Sequence, residues 1–243
     1  MSKVLWSENE LKFFPVKRCQ RLAFRRLGVP HLKGRVADLG AGWGPYHREL
    51  TECTIVSLDQ AMTPVIQVVG STLTLPFKDA SFSGVMLTET LEHVPTPAIA
   101  LAEASRILEP QGWLYLTTPQ MWPLHYEPHD YYRFTRYGLI YLLNRQQLAV
   151  VALESIGGLY TFVFTRLGEK LVKLLITLLG WLPRRWRWAV ATILMAPGQY
   201  FLYLLGRLLD RLAPRDVLGW AVLAQKKANF AIEEAGPIEP ALR

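Results

Sequence analysis

The run Arg35 to Tyr46 (RVADLGAGWGPY) sets a carboxylate, Asp38, near the end of a short apolar stretch and follows it with glycines at 40, 42 and 44. Such glycines let the backbone take positive φ and approach a ligand closely. An acid at that place accepts from a cationic or hydroxyl-bearing group, which argues against a phosphate loop. A second apolar run ends on Asp59, about 20 residues further on, where doubly wound folds set a carboxylate on a ribose. The later stretch Thr117 to Leu139 holds His125, His129, Glu127, Asp130, Arg133 and Arg136 among several aromatics. Burying that mixture as ordinary core costs too much, so it reads as a loop over a reacting centre.

The run Arg35 to Tyr46 resembles motif I of the class I S-adenosylmethionine-dependent methyltransferases, in the ubiquinone/menaquinone-biosynthesis-like (type 11) group. Leu75 to Val85, Leu91 to Val94 and Ala104 to Gly112 resemble, in order, that family's segments entering the fourth strand, following it and preceding the fifth. The resemblance implies S-adenosylmethionine as cofactor. Asp38, Gly40, Ala41, Gly42 and Gly44 would carry its methionyl part and Asp59 its ribose hydroxyls, with Gln60, Ser71, Thr72 and Thr88 completing the cofactor-binding set. Two acids common in the family are serines here, Ser71 after the third strand and Ser83 after Phe82. Adenine is therefore expected to rest on backbone groups and apolar contact. The wording from His125 to Leu139 also resembles a loop in a bacterial subset associated with surface-polysaccharide or lipid-linked pathways.

Methyl transfer is a displacement at a sulfonium, and the enzyme must align the acceptor while excluding water. A base is needed only where the nucleophile holds a proton it cannot lose unaided. His129 is the first choice, with His93 and His125 behind it, because a neutral imidazole is available near pH 7. Asp130 would orient that histidine, while Tyr131, Tyr132, Arg133 and Arg136 would line the acceptor's place, an arginine holding an anionic group. The structural alternative is that Asp130 simply pairs with Arg133 or Arg136 and that the tyrosines shape the fold. No metal site is expected: His125, His129 and Asp130 lack a defined ligand pattern, and no cysteine joins them.

These groups need a scaffold, and the pattern predicts an α/β fold: a doubly wound, mostly parallel seven-stranded sheet with helices on both faces. Strands are expected near 35–39, 54–58, 65–69, 84–88 and 112–117, without clean alternation because both faces are covered. The sixth and seventh are placed at Leu159 to Thr165 and Val217 to Gln225. A helix should run from Pro15 to Gly28 with a basic face, either solvated or set against an anionic surface. Another should open at Pro95 and Pro97 and stop at Pro110 to Gly112.

An apolar helical insertion between strands six and seven is the chain's most individual feature. Leu171 to Leu182 and Ala189 to Leu209 are nearly free of charge, flank Pro183-Arg184-Arg185-Trp186-Arg187-Trp188, and the second is broken by Pro197-Gly198. A hairpin lying in the membrane interface fits best, with the Arg/Trp turn at headgroup level. A lid or dimer interface and a spanning hairpin are the alternatives. The domain reading is therefore 1–30 basic helical segment, 31–167 with 215–227 catalytic domain, 168–214 membrane-associating insertion and 228–243 tail.

With 243 residues, a net charge of +7, 51% hydrophobic residues and eight tryptophans, the chain is greasy and basic, which suits an anionic membrane surface. Cys19 and Cys53 show no metal spacing and point to a reducing compartment. The beginning of the chain lacks a secretory apolar core. The expected function is methyl transfer to a small amphipathic or lipid-linked acceptor at the cytoplasmic side of the inner membrane, peripheral or monotopic. The alternatives are a soluble enzyme that dimerises through the insertion and a non-catalytic membrane scaffold. No nucleic-acid module is recognisable, so nucleic acid is not an expected partner.

Overall fold

The computed structural model describes residues 15–228; the segment 1–14 and the tail 229–243 lie outside the described residues. Seven strands form one sheet: β1 (Gly34–Leu39), β2 (Cys53–Asp59), β3 (Val68–Val69), β4 (Phe82–Thr88), β5 (Leu108–Pro119), β6 (Leu148–Ser155) and β7 (Gly219–Lys226). Their spatial order is β3-β2-β1-β4-β5-β7-β6. The first five pair in parallel, and β7 runs antiparallel to both β5 and β6. Strand order reverses between β1 and β4, which opens a crevice beyond the carboxyl ends of those two strands.

Both faces of the sheet are covered, as the unbroken apolar runs require. On one face lie α2 (Pro97–Ile107), through Ala100, Leu101, Ala104 and Ile107, and α3 (Arg136–Arg145), through Leu139 and Leu143. On the other, α1 (Pro15–Ala23) and the π-turn Phe24–Gly28 bury Cys19, Ala23, Phe24 and Leu27 against Val36, Met86, Tyr115 and Leu223. The link between β1 and β2 holds only a 3-10 turn, His47–Glu49. Three glycines and Pro45 deny it a longer helix, and the N-terminal helix covers that part of the sheet instead. Phe24 packs its ring at 4.6 Å from Tyr46 and 5.1 Å from Tyr115.

The sixth strand is not where the sequence placed it. Leu159 to Thr165 forms the first two turns of a helix, α4 (Leu159–Leu178), and the edge strand is Leu148–Ser155. Asp210 makes the difference: its carboxylate accepts from the N–H groups of Gly158, Tyr160 and Thr161 and from the Thr161 hydroxyl. Those are free donors of a helix's first turn. A β-rich stretch is thereby committed to a helix.

The insertion is a helical pair, α4 packed on α5 (Arg184–Leu209). The second helix is not ended by Pro197 and Gly198; it bends by 41° between Arg185–Ala191 and Ile193–Leu212. A proline ring clashes with the carbonyl four residues back, here Ile193, where the second arm begins. Among the described residues no single helix is long and apolar enough to cross a membrane, although that bent pair passes by length and composition. Arg187 does not sit free in the connecting turn, because its guanidinium donates to the carbonyls of Leu182 and Gly180 and closes the end of α4.

Candidate active site

The glycine turn, Asp59 and the loop 120–135 all lie at the carboxyl ends of strands β1, β2 and β5. Beyond β1, Gly40, Gly42 and Gly44 take φ of 76°, 55° and 59°. A β-carbon at Gly40 would meet the Thr90 side chain at 2.4 Å, and one at Gly44 would meet His47 at 2.6 Å. A side chain at either position would have to displace that neighbour while holding a left-handed backbone. Gly42 instead faces open space, with nothing within 4 Å of such a carbon, so its backbone is accessible to a ligand.

Asp59, at the end of β2, accepts from the Gly42 N–H through Oδ2 and from the Ala61 N–H through Oδ1, both at 2.9 Å. The carboxylate thus holds the glycine turn and keeps further lone pairs for ribose hydroxyls. Asp38 is buried; Oδ2 lies 2.7 Å from His47 Nε2, and Oδ1 has no partner among the described residues. Burial raises its pKa, partly offset by His47. A buried acceptor left open beside the glycine turn fits the ammonium and methionyl end of S-adenosylmethionine, and Asp59 fits its ribose.

The remaining cofactor candidates divide. Ser71 and Thr72 follow β3; the Ser71 hydroxyl accepts from Leu73 N–H and tightens that turn, while Thr72 is buried. Thr88 ends β4 and its carbonyl accepts from Thr90. Gln60 is exposed beside Asp59 and Ala41 is buried beneath the turn. Ser83 sits at the opposite end of β4, donating to the carbonyls of Lys33 and Arg35. The acid missing there has no bearing on adenine.

Beyond β4 and β5 stands a second cluster. The carbonyl of Glu92 accepts from the N–H groups of Tyr131 and Tyr132, and Phe134 N–H donates to Pro119, so the loop 120–135 is sewn across the strand ends. His93 and His125 pack edge to face, ring centres 4.7 Å apart. His93 Nδ1 donates to the His129 carbonyl at 2.6 Å, while burial holds its pKa below the usual range. His129 itself is exposed, its Nδ1 2.9 Å from the Tyr131 hydroxyl.

Two expected roles change. Asp130 accepts from the His125 N–H and lies 3.2 Å from His125 Nδ1; it orients His125, not His129. Arg133 is committed within the loop: its five N–H groups serve Asp130 through two bonds and the carbonyls of Trp122, Tyr132 and Pro123. A guanidinium has five donors, so none is left for an anionic acceptor. This pair holds the Asp130 carboxyl well below the usual range. Tyr132 donates to the Pro95 carbonyl, and Arg136 lies over the Tyr137 ring with a bond to its hydroxyl.

Three residues were not legible as site residues. His47 faces Asp38. Glu89 has φ of 51° and an N–H held by Thr117; its charge acts on Tyr46 beside the glycine turn and on Glu92 beside the histidines. Glu92 is fully buried with neither carboxylate oxygen hydrogen-bonded among the described residues. Desolvation, reinforced by Glu89, pushes its carboxyl well above the usual range.

A family model, Methyltransf_11, described as a methyltransferase domain, matches residues 37–116. The ubiquinone biosynthesis O-methyltransferase of Paracidovorax citrulli is 29% identical over 133 residues, 46% of this chain and 56% of that protein. The chain therefore spans little more than half the length of that curated relative. Among solved structures, phosphoethanolamine N-methyltransferase 2 of Haemonchus contortus, in complex with S-adenosylmethionine, gives a TM-score of 0.59 at 12% identity, covering 93% of this chain and 58% of that one. The 1,6-didemethyltoxoflavin-N1-methyltransferase of Burkholderia thailandensis, with bound S-adenosylhomocysteine, gives 0.53 at 15% identity, covering 88% and 78%. These likenesses establish the fold. The family match over residues 37–116 is to a methyltransferase domain, the class of domain that uses S-adenosylmethionine as methyl donor.

Proposed function

From the premise that residues 37–116 are a methyltransferase domain, we propose that the chain transfers a methyl group from S-adenosylmethionine to an amphipathic or lipid-linked acceptor held at an anionic membrane surface. The bound cofactor supplies an electrophilic methyl on a sulfonium. The chain's own residues do the rest: Asp38 and Asp59 fix the donor, and the loop 120–135 closes over the strand ends. His93, His125 and His129 line the side from which an acceptor can approach.

One observation supports the membrane reading: the apolar stripe of the helical pair is left uncovered by the described residues while being joined to the site. Leu167, Leu171, Leu174 and Leu178 recur at helical spacing and are exposed, as are Ile193, Phe201, Leu204 and Leu208 on the second helix and Leu212 in the 3-10 turn after it. Trp181, 79% exposed, projects from the connecting turn. Fully burying each such side chain is worth roughly 1.5–3 kcal/mol, and an uncovered stripe of this extent marks a partner surface. Exposed Lys170, Lys173, Arg185 and Arg211 flank it, the charge complement of anionic headgroups. Trp122 of the site loop packs on Phe162 of α4, ring centres 5.8 Å apart, so an acceptor with its tail in the interface has a short route to the loop.

The test is incubation with methyl-labelled cofactor and vesicles of a bacterial membrane lipid extract, alongside a variant with Leu171, Leu174 and Leu178 all changed to glutamate. The wild type should sediment with the vesicles and label a lipid-phase product. The variant should remain in the supernatant while still binding S-adenosylmethionine. A wild type that ignores vesicles but sediments as a dimer, with the variant monomeric, would replace the membrane by a second copy of the chain.

A further inference from the structure

Resting on the reading of methyl transfer at a membrane given above, we infer that Arg166, with Lys170 and Lys173, holds a phosphate group of the acceptor, set between its reacting end and its apolar tail. The acceptor is then a phosphate-bearing lipid and not a neutral one.

Three lines of side chains run along α4, in an order that the helix period imposes. Each residue turns the helix by about 100°, so positions three and four apart share a face. Thr161, Thr165 and Gly168 are buried and fix the inner face. Phe162 and Arg166 meet the site loop at Trp122, with 5.8 Å between the two ring centres and 5.9 Å from the guanidinium carbon to the indole. Arg166, Lys170 and Lys173, at i, i+4 and i+7, form the basic line, and the exposed Leu167, Leu171, Leu174 and Leu178 the apolar one. On the circumference of the helix the cations lie between the edge that meets Trp122 and the leucines. A molecule with its tail on the leucines and its reacting group under the loop 120–135 therefore passes over the cations.

Arg166 is suited to more than general attraction. Among the described residues it spends one N–H donor, from Nη1 to Glu169 Oε2 at 2.5 Å, of the five that a guanidinium offers. That bond and the Trp122 ring hold it in place, while its side chain stays 37% exposed. A planar fork already positioned, with donors to spare, is the group that takes phosphate oxygens in pairs. The other arginines of this region are placed differently. Arg133 has no donor left, and Arg136 opens α3 on the other face of the sheet.

The charge count points the same way. Lys170 and Lys173 are exposed one and two turns beyond Arg166, and Glu169 is the single acid of α4 against these three cations. A neutral head passing here would leave the excess positive charge beside apolar surface, where water is scarce and charge pairing is stronger than in bulk. A phosphate supplies the missing counter-charge.

The experiment titrates the full chain by calorimetry, with S-adenosylhomocysteine present, against decyl phosphate below its micelle concentration, decanol and inorganic phosphate. Decyl phosphate should bind about tenfold or more tightly than decanol, which has the tail alone, and than inorganic phosphate, which has the charge alone. Arg166→Gln should abolish the preference over decanol. Changing Lys170 and Lys173 together to glutamine should reduce it about threefold. Arg145→Gln, an equal loss of charge on the exposed side of α3, should leave it unchanged. Circular dichroism and an unaltered cofactor Kd verify folding, and if Arg166→Gln does not fold, the double lysine variant decides. Equal binding of decyl phosphate and decanol, or a preference that these variants leave intact, overturns the site. Inorganic phosphate bound as tightly as decyl phosphate, and lost with Arg166, overturns the lipid and leaves a site for free phosphate. The vesicle test separates the two readings: sedimentation with vesicles but no phosphate preference removes only this site, and a phosphate preference in a chain that ignores vesicles removes only the membrane.

Discussion

Asp38 and His47 form a pair at the mouth of the crevice, Oδ2 to Nε2 at 2.7 Å, in which the carboxylate is buried and its other oxygen has no partner among the described residues. Burial raises the folded pKa of Asp38 above its unfolded value. The folded chain then binds more protons than the unfolded one between those two values, so stability falls as pH rises through that window. Asp38→Asn should stabilise the ligand-free protein at neutral pH by roughly 1–3 kcal/mol, because a neutral amide is cheaper to bury than a carboxylate with one oxygen unpartnered. The gain should shrink as pH approaches 4. Thermal unfolding across pH checks this, and the same variant should bind S-adenosylmethionine at least tenfold more weakly.

Asp59 has two tasks, and one substitution should disturb both. Asp59→Ala removes the acceptor for the Gly42 and Ala61 N–H groups as well as the carboxylate proposed to hold the ribose. Hydrogen bonds to a charged group are worth about 1.5–3 kcal/mol each, so cofactor Kd should rise by about 10- to 100-fold. Calorimetric titration measures it, and an unchanged Kd would remove Asp59 from the site.

Arg133 belongs to the loop's structure. Arg133→Ala leaves the buried Asp130 carboxylate without its bidentate partner and should cost roughly 3–5 kcal/mol, as breaking a buried pair does. The loss should register in unfolding and in proteolysis of the loop 120–135. A variant of normal stability whose only defect is a raised KM for acceptor would return Arg133 to substrate binding.

What the sequence made legible was local. Asp38, the glycines and Asp59 were readable because a strand end, a turn and a second strand end impose short, fixed spacings. The edge strand Leu148–Ser155 was missed because the turn before it is made by Gln147 at φ 60°, without the glycine or asparagine that signals such a turn. Leu159 to Thr165 misled because its branched and aromatic residues favour strands, while the group that makes it a helix stands some 50 positions away. Glu92 and His47 were invisible as site residues for a related reason. Burial without a partner, and a contact across a turn, are properties of the folded chain that no spacing announces.

The last prediction concerns that distant group. Asp210 links the start of α4 to the end of α5 through four hydrogen bonds, two of them at 2.9 Å to Gly158 and Tyr160 N–H. A β-carbon at Gly158 would meet the Asp210 carboxylate at 2.7 Å, so the contact needs both residues as they are. Removing a helix cap costs about 0.5–2 kcal/mol, and here Thr161 Oγ1 is stranded in a buried position as well. Asp210→Ala should therefore lower stability by about 2 kcal/mol, while Asp210→Asn, which keeps one acceptor, should lose less. Because Phe162 supports Trp122 from the same first turn, amide exchange should speed up in two places at once, at 158–165 and in the loop near Trp122. Faster exchange at 158–165 with the loop unaffected would show that the helical pair and the active-site loop are not mechanically joined.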